Sequence, residues 1–230
     1  MRRIFLLIAA IILSLTLLSA CNNKTQPYLY YDNSLNGQKL VDSIIQNVPQ
    51  SIYIVMQIKV QDSISDMILA KHNNIVLNKT GLSDGVSVIS VYDYSSNKAY
   101  QYFDGDKLTV EEKSYGMELS LTDDEIEKGI DYHFETLDDI GEVIEAYETV
   151  YNSKKAIYIK SSYIYEDSEL TFVIYLSVDY AYPLYMLSTV DGVNTVEMII
   201  VEIDTEYKFS DTFPDIPDTV RFVNYDNYED

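Results

Sequence analysis

The sequence predicts an α+β fold: a large, curved antiparallel sheet with helices packed on its concave face. Three observations predict it. Apolar and polar residues alternate with period two through long runs, most cleanly Ser51 to Val60. Turn-forming groups such as His72-Asn73-Asn74, Ser95-Ser96-Asn97 and Asp191-Gly192 separate those runs. One leading segment, Asn36 to Val48, carries Val41, Ile44, Ile45 and Val48 at helical spacing. Neither a one-sided sheet nor a striped helix is stable alone, so each must bury its apolar side against the other.

The chain starts with Arg2 and Arg3, an apolar run from Ile4 to Leu18, and then Leu18-Ser19-Ala20-Cys21. A basic flank, an apolar centre and small residues before a cut are the features of a secretory signal. The run falls short of the roughly 20 residues that span a bilayer. Its last four residues are similar to a bacterial lipobox, with the only cysteine of the chain at the first mature position. Residues 1–20 are therefore expected to be a lipoprotein signal peptide, and Cys21 the site of lipid attachment. The expected location is the extracytoplasmic face of the cell membrane, held by that lipid. Residues 21–33, polar and with Pro27, read as lipidated cysteine and tether, and 34–230 as a single domain.

Within that domain Asn36 is a candidate N-cap, with Pro49 just past the helix end. Ile52, Ile54, Met56, Ile58 and Val60 point to one side of the first long strand. Hairpins follow at Asp66–Lys71 with Asn74–Thr80, and at Val86–Tyr94 with Lys98–Phe103. Asp104-Gly105-Asp106 is expected to turn the chain into a further strand, Lys107 to Glu111. Thr122-Asp123-Asp124-Glu125 has capping-box spacing, with Gly129 as its stop. A second short helix is expected from Thr136-Leu137-Asp138-Asp139 to Ala146. Strands resume at Glu148–Tyr151, Lys155–Tyr165, Glu169–Val178, Leu184–Val190 and Val193–Ile203, and the remaining C-terminal residues read as polar and irregular.

Composition narrows the function. Apolar residues make up 47% and charged residues 23%, which fits a globular domain rather than a disordered chain. The formal charge is −21, and loss of Arg2 and Arg3 with the leader takes it to −23. Such a surface repels nucleic acid and anionic headgroups, so no nucleic-acid partner is expected and the anchor must be the lipid. With Cys21 acylated, no thiol remains for a disulfide, a nucleophile or a metal. Tyr occurs 22 times and Trp not at all; AT-rich codons explain such a bias, and an aromatic binding surface is the alternative.

The step Leu176-Ser177-Val178-Asp179-Tyr180-Ala181-Tyr182-Pro183-Leu184-Tyr185-Met186, the Asp191-Gly192 hairpin, and the closing Phe209, Asp211, Phe213, Pro214 and Pro217 resemble one superfamily. It is the lipoprotein-carrier superfamily of LolA and LolB, with the LppX/LprG and Gram-positive LolA-like lipoproteins. The resemblance implies a half-open β-barrel whose apolar interior holds acyl chains under a helical lid. Its own anchor sets this chain closer to LolB than to the soluble shuttle LolA. The resemblance does not align the aromatic and Arg positions that mark carriers proper with residues of this chain, so lipoprotein transfer is not inferred.

From strand phase, Ile54, Met56, Ile58, Phe172, Ile174, Leu176, Met186 and Met198 are the candidates to line such a cavity. Methionine suits ligands of varied shape. The same eight would also fill a dry core.

Catalysis finds no footing. His72 and His133 are the only histidines, and no G-x-S-x-G elbow, H-E-x-x-H, P-loop or G-x-G-x-x-G is present. Asp104 with Asp106, or Asp123 with Asp124, offers weak calcium ligation without EF-hand spacing. Asp138 and Asp139 read as helix-start residues. Nothing selects a glycosidase pair among 37 acidic residues. The expectation is a monomeric, membrane-anchored lipoprotein that binds an acyl chain or other apolar ligand, with no enzyme activity, metal or cofactor. The rival is an interaction module that docks a protein or envelope polymer through an acidic, Tyr-rich sheet face.

Overall fold

The computed structural model describes residues 28–47, 49–82, 85–123, 125–126 and 140–224. The leader with Cys21, the start of the tether, Gly129, His133 and the expected helix start at Thr136–Asp139 lie outside the described residues.

Two short strands, β1 (Leu29–Tyr30) and β2 (Ile45–Gln46), pair with each other and flank α1 (Gln38–Asp42). The main sheet follows. Its strands are β3 (Ser51–Val60), β4 (Ser63–His72), β5 (Ile75–Gly81), β6 (Val86–Asp93) and β7 (Lys98–Gly105), then, after α2 (Val110–Lys113), β8 (Tyr115–Ser120). The second half is β9 (Glu142–Tyr151), β10 (Lys154–Tyr165), β11 (Ser168–Ser177), β12 (Pro183–Val190) and β13 (Val193–Asp204), with β14 (Arg221–Asn224) near the end. Edge to edge the order is β14-β8-β7-β6-β5-β4-β3-β13-β12-β11-β10-β9, and the sheet does not close. Every pairing is antiparallel except β14, which runs parallel to β8.

The hairpins form where the turn residues allow φ > 0. Asn152 and Ser153 have φ 48° and 64°, and Asp191 and Gly192 have 50° and 78°. Two successive positive values make a type I′ turn, whose twist matches that of the flanking strands. Gln61, Asn73, Asn97 and Glu166 adopt the same left-handed region at the turns β3–β4, β4–β5, β6–β7 and β10–β11.

Five expectations need correction, the first being the irregular C-terminal end, where Arg221–Asn224 form β14. The leading helix does not run from Asn36 to Val48. It covers Gln38–Asp42 behind the cap Gly37 (φ 60°), and the Ser43 hydroxyl donates to the Leu40 carbonyl at its end. Ile45 and Gln46 leave the helix because pairing with β1 satisfies their backbone. Residues Leu29 and Tyr30, placed in the tether from sequence, form that partner strand, and Leu29 is buried. The expected strand Lys107–Glu111 is instead the entry to α2. Thr109 accepts from the Glu112 N–H while the Glu112 carboxylate accepts from the Thr109 N–H, a full capping box. The expected helix ending at Ala146 is absent over Glu142–Ala146, which belongs to β9. At Thr122 the expected cap is present, with Glu125 N–H bonded to the Thr122 hydroxyl.

Helices are few, and the described ones do not form a layer across the sheet. Core packing falls into two clusters. The larger lies on one sheet face, from β3 through β13 to β9, under Leu29 and Leu40. Gly37 N–H donates to the Ala146 carbonyl at 2.8 Å and Leu29 N–H to the Val178 carbonyl, which seats residues 28–47 over that end. The smaller cluster, Ile89, Val91 and Tyr102 with Phe222, lies on the opposite face under the C-terminal segment. Register shifts interrupt four pairings: β9 with β10, β11 with β12, β12 with β13, and β13 with β3. Each extra residue bends its strand.

Candidate functional site

Register places the eight sequence candidates on one face. Ile58, Met198, Met186, Ile174, Ile159 and Ala146 form a single cross-strand row from β3 to β9. Ile54 and Met56 flank that row on β3, and Phe172 and Leu176 flank it on β11. All eight belong to the larger cluster. Ile54, Ile174 and Leu176 have no exposed surface, Met56 and Met198 almost none, while Ile58, Phe172 and Met186 are half-buried. A side chain at zero exposure touches no space wide enough for a water molecule. Those three are packed against protein.

The same face opens further along. Ile54 aligns with Leu69, then with Asn78, Ser90, Gln101, Met117 and Val223 on β5, β6, β7, β8 and β14. Over the far end of this row, where α2 stands above β7 and β8, lies a cleft of about 680 Å³. Val86, Phe103, Leu108, Met117 and Val223 supply most of its wall. Phe103 and Val223 keep 42% and 43% of their surface in solvent, and Tyr115 at the mouth keeps 51%. Gly116 forms part of the wall because a Cβ there would lie 2.5 Å from the Phe222 ring on the other side of the sheet. Volumes of about 300–1,000 Å³ with mainly apolar linings are the range of small-molecule sites.

Besides Tyr115 at the mouth, Gln101 and Glu112 bring polar side chains to the cleft. Gln101 Nε2 donates to Ser90 Oγ at 3.1 Å. The Glu112 carboxylate sits at the α2 side, where the Thr109 backbone N–H and hydroxyl hold its pKa below the ordinary glutamate value. Beyond Ser90 in the same row, the side-chain oxygen of Asn78 is buried without a hydrogen-bond partner.

The opposite face carries a different feature. Tyr147, Tyr158, Tyr175 and Tyr185 align directly across β9, β10, β11 and β12. Neighbouring ring centroids are 4.9, 5.3 and 6.1 Å apart, and Tyr151 stacks beside the row 4.4 Å from Tyr175. Tyr185 donates to Glu197 at 3.0 Å, and burial with that bond pushes its hydroxyl up to about 12.

A second cleft on this face, of about 430 Å³, lies under the C-terminal segment between Tyr102, Tyr207, Phe209 and Phe213. Beside it His72 packs on Phe209 and Phe213 and hydrogen-bonds Ser51 Oγ at 2.8 Å. This is the serine–histidine pairing that sequence spacing did not reveal, since the two are cross-strand partners on β3 and β4. Among the described residues no carboxylate bonds the other ring nitrogen, so the pair lacks the orienting third group of a triad. Asp104 is paired with Lys79 at 3.2 Å. Among the described residues, no three metal-binding side chains gather.

No protein-family model matches the chain, and no curated protein matches it.

Proposed function

We propose that this chain is a membrane-anchored extracytoplasmic lipoprotein, acylated at Cys21, that binds an acyl chain or similar apolar ligand without chemistry. The binding region in this reading is the cleft between α2 and strands β7, β8 and β14, on the face that the eight phase-selected residues share. One observation carries it: an open apolar hollow of about 680 Å³ continues the sheet face whose other half is packed core. Ten buried methylenes contribute about 8 kcal/mol of transfer free energy, enough to offset an association cost of several kcal/mol.

The finer architecture belongs to the same proposal. The bulges in the β3-to-β9 half bend the sheet around residues 28–47, giving a half-open barrel of the kind found in LolA-like carriers. Ile54, Met56, Ile58, Phe172, Ile174, Leu176, Met186 and Met198 then form the floor on which the cargo region is built, and cargo itself sits on Phe103, Met117 and their neighbours.

Every described strand and helix lies between Leu29 and Asn224, so the chain from Asn22 onward contains all of the described elements. Native mass spectrometry of that unacylated chain, with displacement of a fluorescent acyl ester, tests the proposal. Co-purified lipid or saturable uptake supports it. Absence of both defeats it.

A second reading rests on the tyrosine row. Four aligned tyrosines beside Glu197 and Lys160 offer a surface with apolar rings and polar tips, the type enriched at interfaces. Docking of an envelope polymer or protein there is compatible with cargo on the other face. Loss of retention on isolated envelope material in a Tyr158→Ser, Tyr175→Ser double variant that keeps acyl-ester uptake supports it.

A further inference from the structure

The cleft under the C-terminal segment holds a polar group that the fold itself does not use. Its floor is apolar, made by Ile68, Ala70, Leu77 and Ile89, and Tyr102 stands among them with only 4% of its surface exposed. The Tyr102 ring packs against Phe222. Its hydroxyl has no hydrogen-bond partner among the described residues, and unlike the Asn78 oxygen it is not sealed off from the open space. Burial, with Asp104 and Asp215 nearby, pushes its pKa up. A nearly buried hydroxyl left unpaired costs free energy that a ligand with a matching group would recover.

The charges around the cleft balance. Lys79 and Lys208 bring two ammonium groups to the wall, and Asp215 brings one carboxylate. Lys79 is bonded to Asp104 at 3.2 Å. Asp215 accepts from the Thr212 and Ser210 hydroxyls, which hold its pKa below the ordinary aspartate value and so keep it ionised at neutral pH. Further acids stand at the rim: Glu202 near Tyr53, and Glu206 and Asp211 on either side of the wall segment in the chain. An anion entering here would meet Asp215 and the acidic rim, and a cation would meet two ammonium groups. A wholly apolar ligand would strip water from Tyr102 and both lysines without replacing it.

What fits is an uncharged molecule that donates and accepts hydrogen bonds and still has an apolar face. Aromatic rings offer that face its partner, with Tyr53 stacked on Tyr207 at 4.3 Å and Phe209 against Phe213 at 4.5 Å. A pyranose ring answers each requirement, since its hydroxyls both donate and accept and its C–H groups lie flat on aromatic carbon. The volume of about 430 Å³ is within the range of small-molecule sites.

We propose that this cleft binds neutral sugars, with the Tyr102 hydroxyl as the hydrogen-bond group at its base and the tyrosine and phenylalanine rings as its stacking wall. The site lies on the sheet face opposite the acyl cleft and does not depend on it.

The test titrates one ring in three charge states into the full chain, held in a detergent without sugar head groups, by saturation-transfer NMR at neutral pH. The probes are methyl glucoside, the methyl glycoside of glucuronate and that of glucosamine, with thymine as a neutral, flat ligand of another class. Methyl glucoside is expected to bind saturably with a Kd of about a millimolar, roughly tenfold tighter than the other three. Tyr102→Phe keeps the packed ring and should weaken methyl glucoside about fivefold, the worth of one neutral hydrogen bond. Tyr207→Ala removes an exposed ring of the wall and should weaken it several-fold as well. No saturable binding of methyl glucoside, tighter binding of a charged ring or of thymine, or unchanged affinity in both variants overturns the assignment.

Discussion

Truncating Ile174 and truncating Phe103 should have opposite consequences, because one is core and the other is wall. Ile174 sits between Met186 and Ile159 in the row Ile58–Met198–Met186–Ile174–Ile159 and has no exposed surface. Replacing it with alanine removes three carbons from a closed neighbourhood, costing about 2–5 kcal/mol. With a urea slope of about 3 kcal/mol per molar, a loss near 3 kcal/mol lowers the unfolding midpoint by about 1 M. Phe103 keeps 42% of its surface in solvent, so Phe103→Ala gives up only part of the burial of a phenyl ring and leaves an open surface rather than a closed cavity, at a cost of about 1–2 kcal/mol. Acyl-ester affinity should behave the other way, falling several-fold in Phe103→Ala and holding in Ile174→Ala under conditions where that variant remains folded. Urea titration followed by tyrosine fluorescence, together with probe displacement, measures both. A midpoint unchanged in Ile174→Ala, or acyl affinity lost there and kept in Phe103→Ala, would show that the cargo space lies over β10–β12 and refute the assignment.

Three further outcomes are expected. Gly141 has φ +79° and a Cβ there would lie 2.5 Å from the Ser162 carbonyl, so Gly141→Ala should destabilise the fold by about 1–3 kcal/mol, read by thermal melting. Tyr185 titrates near 12 when folded against about 10 unfolded. A raised pKa gives stability that is complete below pH 10 and lost as pH climbs through 12. Tyr185→Phe should therefore lose less stability than the parent across that interval in pH-dependent melts. Cys21→Ala should abolish lipid modification and release the chain from the membrane fraction, seen by labelled-palmitate incorporation and fractionation, while leaving the fold unchanged.

Much of the sheet was legible because its signals are local. Ser51–Val60 has the same bounds in sequence and structure, since ten residues of strict alternation end at turn residues on both sides. Asp191-Gly192 and Asn152-Ser153 announce hairpins because few side chains tolerate positive φ. The shared face of Ile54, Met56, Ile174, Leu176 and Met198 followed from phase alone. Other elements were missed for distinct reasons. Thr109 to Glu112 carries the capping-box signature, but Leu108 and Val110 alternate within Lys107–Glu111, which reads as a strand. Tyr115, Met117 and Leu119 alternate over β8, a run too short to stand out. β14 pairs with residues about a hundred positions earlier, and four residues carry no local sign of such a partner. The cleft needs all three of these elements. It was therefore invisible from sequence, and the phase-selected residues instead pointed to the packed half of its own face.

The most direct measurement is an isotope-filtered NOE experiment on the chain from Asn22 onward, methyl-labelled and saturated with unlabelled 1-decanoylglycerol. The account predicts contacts from the acyl chain to the methyls of Met117, Leu108, Val86 and Val223, with none to Met186, Met198 or Ile174. Contacts confined to Met186, Met198 and Ile174 would contradict it, as would a saturated complex showing contacts to neither set.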